Sequence, residues 1–191
     1  MNVGGFAIGT TQNTYRITPI QQPERGPVMN APLSRVPVGP PVIIQLDTWD
    51  EAGEVITPYR ELPFLVCHLT LQTPTGEDAQ SVRENENSTP VPTLYGTTIA
   101  SPVEMKDQNG EDGVYFVFPD ICVRFAGTFR LKAYVMRITG GPALDMCITE
   151  SFDVVPEQEY VAPAVTELTQ HFAAQNITSF GPQPMQGAGD W

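Results

Sequence analysis

Short apolar runs separated by clusters of turn-forming residues make up most of this chain. In the longest run, 128–138, apolar side chains take one set of alternate positions, and Arg130, Lys132, Tyr134 and Met136 take the other. A repeat of two residues is typical of a strand with one buried and one exposed face. We therefore predict a half-buried strand with a partly basic outer face. Further strands are predicted at 15–20, 42–46, 63–71, 114–118, 120–124 and 147–155.

One segment near the C-terminus, 163–175, has helical features. Pro163 suits the first turn of a helix, and Glu167 would lie near the positive end of the helix dipole. Three apolar residues fall on one helical face: Val165, Leu168 and Phe172. We therefore predict a helix that docks on the strands over 162–176.

The composition favours strands and turns. The 191 residues include 19 prolines and 16 glycines, too many for a helical protein, because proline removes a backbone donor. About eight short strands without an internal repeat predict an all-β sandwich with one C-terminal α-helix. We expect one domain at 14–178, with a loose leader at 1–13 and a flexible tail at 179–191. The polar, acidic segment 72–92 is predicted to be a mobile surface insertion.

The charge is strongly acidic and unevenly distributed. The chain carries 10 basic and 22 acidic residues, a net charge of −12, which opposes nonspecific attraction to polyanions. All ten basic residues lie at or before Arg137, and the segment after it is purely acidic. Only two windows are positive, 14–41 with a net charge of +2 and 121–138 with +4.

The chain offers few groups for catalysis or metal binding. His68 and His171 have no motif partner, so a sheet-face and a surface histidine are the simpler interpretation. The segment 107–113 resembles a calcium loop, but the position that needs a bidentate glutamate is Phe118, so we predict a turn. We expect no cofactor, no metal and no catalytic activity.

The cysteines and the N-terminus indicate a reducing environment. Cys67, Cys122 and Cys147 are odd in number, lack paired spacing and lie in apolar stretches, so reduced core thiols are predicted. Residues 1–10 contain neither a positive charge nor a long apolar run, so we expect an intracellular protein without a signal peptide or membrane span.

Several segments, taken together and in order, resemble the fungal velvet domain over residues 14–178. The most specific are QQPER at 21–25, LYGTTIASP at 94–102 and FPDICVRFAGTFRL at 118–131. Supporting segments are YRITPI, RVPVGPPVIIQL, PFLVCHLTLQ and ITESFDVV. Each segment is weak evidence alone, and their order and spacing carry the resemblance.

The resemblance implies a sandwich similar to the immunoglobulin-like Rel-homology domain, which pairs with another velvet protein as a homodimer or heterodimer. It also implies a regulator of development, sporulation and secondary metabolism that acts on DNA in the nucleus. By the same resemblance, the chain is expected in nucleus and cytoplasm, with a methyltransferase-like regulator as a further partner.

The family's DNA contacts come mainly from a basic loop after the QQP segment. Here that loop keeps only Arg25 and Arg35 and has no lysine. Two arginines engage only about 2 phosphates where a strong binder engages about 6 to 10, so DNA binding by this chain alone should be weak. Arg16, Arg130 and Lys132 are further candidates, although an outer strand face, salt-bridged to the acidic tail, is the favoured interpretation of the last two.

Three alternatives stay open at this point. The chain is a velvet-type regulator whose dimer binds DNA, or a velvet-fold dimerisation partner or scaffold that has lost DNA binding, or an unrelated immunoglobulin-like binding module. The depleted loop and the acidic C-terminal third motivate the second. An enzyme is the least favoured class.

Overall fold

The computed structural model describes residues 13–29, 36–83 and 88–175 of the chain. These residues form fourteen strands and one α-helix, α1, at Glu167–Ala173. Two 3₁₀ turns lie at Leu62–Phe64 and Glu157–Glu159. The strands are β1 (Thr14–Gln21), β2 (Arg25–Pro27), β3 (Val42–Trp49), β4 (Leu65–Gln72), β5 (Ser81–Val82), β6 (Val91–Pro92), β7 (Leu94–Tyr95), β8 (Ile99–Ala100), β9 (Val103–Lys106), β10 (Asp112–Phe118), β11 (Cys122–Val123), β12 (Gly127–Arg137), β13 (Asp145–Ile148) and β14 (Phe152–Val155).

Two main sheets face each other. The first sheet has the strand order β1-β3-β10-β9, and the second has the order β2-β14-β12-β4-β8, with β13 also paired to β12. Within the second sheet, β2 runs parallel to β14 and the other pairs are antiparallel. The predicted all-β sandwich with one C-terminal helix is thereby confirmed.

The core lies between the sheets and follows the alternation in the sequence. Ile17, Leu46 and Phe116 of the first sheet belong to the same buried cluster as Leu69 and Leu131 of the second. The longest predicted strand is confirmed as β12, with its apolar alternate positions inside and its polar ones half-buried outside. Burial of apolar side chains from both layers is what holds the two sheets together.

The helix begins later than predicted, at Glu167 instead of Pro163. Thr166 has an extended backbone, and its hydroxyl accepts a hydrogen bond from the Thr169 amide at 3.0 Å, so it is the N-cap. Side-chain capping at Thr166 therefore sets the start of the helix, and Pro163 belongs to the connection before it. Val165, predicted to face the strands, is also before the helix and 60% exposed.

The remainder of the helix docks as predicted, on the outer face of the first sheet. Phe172 is fully buried in a second cluster with Ile43, Met105 and Val117, and Leu168 packs at its edge. The rings of Phe172 and Tyr115 have their centroids 4.8 Å apart. The helix thus covers the middle of the outer face of the first sheet.

The last predicted strand, 147–155, was wrong as a single element, because it is split into β13 and β14. Buried Thr149 lies between the two parts, and its hydroxyl accepts a hydrogen bond from the Leu131 amide at 2.9 Å. The side chain thereby replaces a backbone acceptor where the ladder is interrupted.

Similarly, the turn predicted at 47–53 begins only at Asp50, because β3 continues to Trp49.

The polar segment 72–92 contains ordered pairing. Ser81 and Val82 pair with Pro92 and Val91, and Ala79 is buried in the core cluster. Its mobility and the other domain boundaries stay predictions, and the predicted tail and nearly all of the predicted leader lie outside the described residues.

A polar cluster ties the start of β1 to the end of β12. The Glu61 carboxylate accepts hydrogen bonds from the Tyr15 hydroxyl at 2.5 Å, from Asn13 at 2.7 Å and from Arg137 at 3.0 Å. Burial by itself raises the pKa of Glu61, but the hydrogen bonds from Tyr15 and Arg137 outweigh it and lower that pKa below its ordinary value of 4.5.

This lowered pKa predicts a loss of stability in acid. The unfolded chain binds a proton at Glu61 more readily than the folded chain, so the contribution of Glu61 is complete above pH 4.5 and lost as the pH falls below it. We expect the free energy of unfolding of a Glu61→Gln variant to decline less than that of the wild type between about pH 5 and pH 3. Urea denaturation across that range measures it. Equal slopes for Glu61→Gln and the wild type would contradict the prediction, and Glu54→Gln, at an exposed carboxylate, serves as the control.

Candidate functional site

The basic side chains predicted for DNA binding do not form one patch. Arg25 begins β2, where its amide donates to the Gly39 carbonyl at 3.1 Å and its own carbonyl accepts from the Gly39 amide at 2.8 Å. Arg16 lies on the other sheet, exposed and opposite Asp47 in the β1-β3 register. Arg35 lies outside the described residues.

The second sheet brings three of the candidates to its outer face. The register places Arg25 next to Asp153, and Asp153 next to Thr128. Arg130 and Lys132 follow on the same face of β12, because alternate residues share a face. The Asp153 carboxylate accepts a hydrogen bond from the Thr128 hydroxyl at 2.7 Å, so one acid stands among these three cations.

Neither arginine of this group is a freely extended side chain. Arg25 and Arg130 are half-buried, and the Nε atom of each is buried without a hydrogen-bond partner. The Arg130 guanidinium lies against the turn at Gly76, where an added Cβ would come within 2.6 Å of its Nη2. The sequence pattern placed Arg130 on the outer face correctly but could not show this contact.

His68 and Tyr134 occupy the middle of the same outer face. The two residues are directly opposite in the β4-β12 register, and the His68 ring nitrogen shares a hydrogen bond with the Tyr134 hydroxyl. Burial lowers the pKa of His68 below its ordinary value of 6.5, so the neutral ring is favoured. As predicted, His68 is a sheet-face histidine, and its bonded partner is a phenol instead of a serine or cysteine.

The cysteines are free, as predicted, and their thiols are poor nucleophiles. Cys67 and Cys122 are buried and Cys147 is half-buried. Burial raises the pKa of the Cys67 thiol far above its usual value and that of Cys147 to about 11. Because the thiolate is the reactive form, neither group is activated for attack.

The segment that resembles a calcium loop is a turn, as predicted. One Asp107 carboxylate oxygen accepts hydrogen bonds from the Asn109 amide at 2.8 Å and the Glu111 amide at 2.9 Å. Within residues 13–29, 36–83 and 88–175 there is no group of three or more His, Cys, Asp or Glu side chains that could hold a metal ion. In that same part of the chain, no helix has the length and apolar character needed to cross a membrane.

The QQP segment at 21–23 holds the helix and the last strand. The Gln21 side chain is buried, donates to the Pro41 carbonyl at 2.8 Å and to the Thr169 hydroxyl at 2.9 Å, and accepts from the Thr166 hydroxyl. Gln22 accepts a hydrogen bond from the Glu150 amide at 2.9 Å. This role could not be predicted from the sequence, because the partners are up to 148 residues away.

Hydrogen bonds join the LYGTTIASP segment at 94–102 to the FPD segment at 118–120. The Asp120 carboxylate accepts hydrogen bonds from the Thr97 amide at 2.8 Å and from the Thr97 hydroxyl at 3.1 Å. Gly96 has a φ of 99°, and a Cβ on it would lie 2.2 Å from the Asp120 carbonyl oxygen, so only glycine fits. These contacts therefore join the two motifs within the sandwich.

The fold and these contacts define a β-sandwich domain with one C-terminal helix packed on its first sheet. A comparison with protein families matches residues 73–179 to the velvet factor. That match covers more than half of the chain, and the chain therefore belongs to the velvet family.

Individual velvet proteins show the same similarity. A sexual development regulator of Pyricularia oryzae is 39% identical over 97 residues, which are 50% of this chain and 22% of that protein. A spore development regulator of Ajellomyces capsulatus is 30% identical over 177 residues, 85% of this chain and 42% of that protein. Velvet complex subunit 2 of Gibberella moniliformis is 34% identical over 99 residues, 44% of this chain and 20% of that protein. The chain thus spans less than half the length of these relatives.

The buried Gln21 side chain predicts a measurable loss of stability. A Gln21→Ala variant removes the partners of two hydroxyls and one carbonyl, so we expect the free energy of unfolding to fall by about 1 to 3 kcal/mol. Urea denaturation measures the change. Gln22→Ala, which removes a single exposed contact, is the matched control and should cost less than about 1 kcal/mol. Equal losses for the two variants would contradict the structural role of Gln21.

Proposed function

We propose that this chain is a non-enzymatic, velvet-type transcriptional regulator of fungal development, sporulation and secondary metabolism, acting on DNA as a homodimer or heterodimer. The observation that carries the proposal is the family match over residues 73–179. The names of its relatives, regulators of sexual development, of spore development and of secondary metabolism, support the process.

The partners follow from the same family membership. Two relatives are named as subunits of a velvet complex, which supports a second velvet protein as the dimer partner. A methyltransferase-like regulator is proposed as a further partner, and the working location is the nucleus, with a cytoplasmic pool.

The DNA contact is proposed at Arg25, Arg35 and the neighbouring cations of the second sheet. Arg25 lies a few residues before the loop that holds Arg35, and the sheet register places Arg130 and Lys132 on the face that Arg25 also occupies. With about two phosphates engaged through the loop, one chain binds weakly, and a more basic velvet partner supplies the remaining contacts.

A second candidate function has its own support. The half-buried guanidinium of Arg25, the nearby Asp153 carboxylate and the net charge of −12 all disfavour contact with phosphates. They favour a velvet-fold partner or scaffold that has lost direct DNA binding and acts by dimerisation.

An electrophoretic mobility shift assay at several salt concentrations separates the two functions. If Arg25 and Arg35 contact phosphates, the logarithm of the binding constant should fall with a slope of about −2 against the logarithm of salt concentration. The Arg25→Glu and Arg35→Glu variants should each weaken binding and reduce that slope by about one.

Arg60→Glu is the matched control, because Arg60 is an exposed loop arginine with no part in the proposed contact. Thermal unfolding of each variant shows that the fold is kept. If Arg25→Glu and Arg35→Glu leave the affinity for DNA unchanged, the scaffold function is favoured. If no mobility shift of DNA is seen at low salt, with or without a velvet partner, action on DNA is excluded.

A further inference from the structure

A groove with a volume of about 340 Å³ lies beside α1 on the outer face of the first sheet. Its lining includes Leu168 and Phe172 of the helix, Gln45 and Asp47 of β3, and Tyr115 of β10. The three strand residues face outwards, because alternate residues of a strand share a face and their neighbours are in the core between the sheets. Packed strands and a packed helix therefore fix the shape of this groove.

Tyr115 is almost fully buried in the groove, but its hydroxyl has no hydrogen-bond partner among residues 13–29, 36–83 and 88–175. The hydroxyl lies over Gly113, where an added Cβ would be 2.5 Å from the phenol oxygen. Gly113 and Tyr115 both line the groove, so the hydroxyl faces into it. Buried polar groups are almost always hydrogen-bonded, because an unpartnered one costs free energy. A phenylalanine would pack the ring equally well, so the hydroxyl points to a ligand.

Two carboxylates act on this hydroxyl. Burial raises the pKa of Tyr115, and the negative charges of Asp107 and Asp47 raise it further. Tyr115 is therefore a neutral phenol at pH 7, which accepts a hydrogen bond from a cation and donates one to a carboxylate. The Gln45 amide holds Asp47 in place by donating to its Oδ1 at 2.9 Å.

The charge along the groove selects a cation. Its lining contains four carboxylates and no lysine, arginine or histidine, and the carboxylates are those of Asp47, Asp107, Glu111 and Asp112. From outside the lining, Lys106 forms an ion pair with Asp112 at 2.8 Å. Arg16 lies opposite Asp47 in the β1-β3 register but forms no ion pair with it in the described part of the chain. Four carboxylates less these two cations leave the groove with a net charge of −2.

The donor set suits an organic cation better than a metal ion. Within the described ranges, no three His, Cys, Asp or Glu side chains converge closely enough to hold a metal. A lysine ammonium has three N–H donors and an arginine guanidinium has five, so either can bond to the Tyr115 hydroxyl and to separate carboxylates at once. The planar guanidinium also stacks on aromatic rings, which favours arginine beside Tyr115 and Phe172.

A second groove continues the first around the start of α1. The two grooves share Ile20, Gln108 and Leu168 in their linings. The second groove adds three carboxylates and again no cation, and they are those of Glu24, Glu150 and Glu167. A single amine would occupy only one part of this acidic surface, whereas an extended peptide with several basic side chains can follow all of it.

From these observations we infer that the groove beside α1 binds a basic peptide segment of a partner protein, with one lysine or arginine of that segment held by the Tyr115 hydroxyl and the Asp47 and Asp107 carboxylates. The inference goes beyond the proposed function, because neither groove is lined by a cation that is proposed to contact DNA.

Fluorescence anisotropy with a labelled peptide of alternating arginine and serine tests this site on the full chain. At about 0.15 M salt, charges more than about 8 Å apart are largely screened. We expect saturable binding of this peptide and none of a peptide with neutral citrulline in place of arginine. Tyr115→Phe should weaken binding about tenfold, because a hydrogen bond to a charged group is among the stronger ones. Asp47→Asn should weaken it at least about threefold.

The matched controls are Tyr59→Phe and Glu77→Gln, at an exposed tyrosine and an exposed carboxylate that line neither groove. Both variants should bind the peptide as the wild type does. Tyr115→Phe leaves the net charge unchanged, so nonspecific attraction to an acidic chain cannot explain its effect. It also removes a buried hydroxyl without a partner, so the variant should unfold at the wild-type temperature or above it.

Four results would each overturn the inference: no saturable binding by the wild type, equal binding of the citrulline peptide, wild-type affinity in Tyr115→Phe, or equal losses in Asp47→Asn and Glu77→Gln. A lower unfolding temperature of Tyr115→Phe would also overturn it, because the hydroxyl would then have a structural partner. Any of these results leaves the DNA contact at Arg25 and Arg35 to its own assay.

Discussion

Each sheet of this sandwich has two faces, and only one of them lies in the shared core. The first sheet closes its other face with α1, where the fully buried Phe172 ring fills the surface between Ile43 and Tyr115. On the other face of the second sheet, the described residues form no such buried cluster. Because β12 is central to the second sheet, the same strand contributes Leu131 and Val135 to the core and Tyr134 and Lys132 to the open face. The core and the outer face of the second sheet therefore depend on one alternation of buried and exposed residues in β12.

Polar contacts hold the ends of strands and the start of the helix in place, where the alternation of apolar and polar residues stops. Gln21 fixes the start of α1 through Thr166 and Thr169, and Thr149 supplies the acceptor that the broken strand lacks. Glu61 accepts hydrogen bonds from Tyr15 and Arg137, and these bonds tie the start of β1 to the end of β12. Each is an ordinary amide, hydroxyl or carboxylate satisfied by distant partners, and burial raises the pKa of the Cys67 and Cys147 thiols.

The strongly periodic elements could be predicted from the sequence, since β12 and the buried runs at 42–46 and 114–118 follow local alternation. The start of α1 could not, because Pro163 is an equally good local signal and the deciding contact is between Thr166 and the distant Gln21. The break at Thr149 depends likewise on the neighbouring strand. In the candidate site, the alternation in the sequence predicted the correct face for Arg130 and Lys132. Their proximity to Arg25 could not be predicted, because it depends on the parallel pairing of β2 with β14. The row formed by Met146, Tyr134, His68 and Ile99 joins residues from four strands and has no local signature.

The rest of the structure depends on the helix covering the outer face of the first sheet while the described residues leave that of the second sheet exposed. Oxidative footprinting of the free chain tests this difference most directly, because Met146 on the second sheet is 54% exposed, whereas Met105, in the cluster with Phe172, is 3% exposed. We expect Met146 to be oxidised much faster than Met105. Equal rates, or a slower oxidation of Met146, would contradict this arrangement.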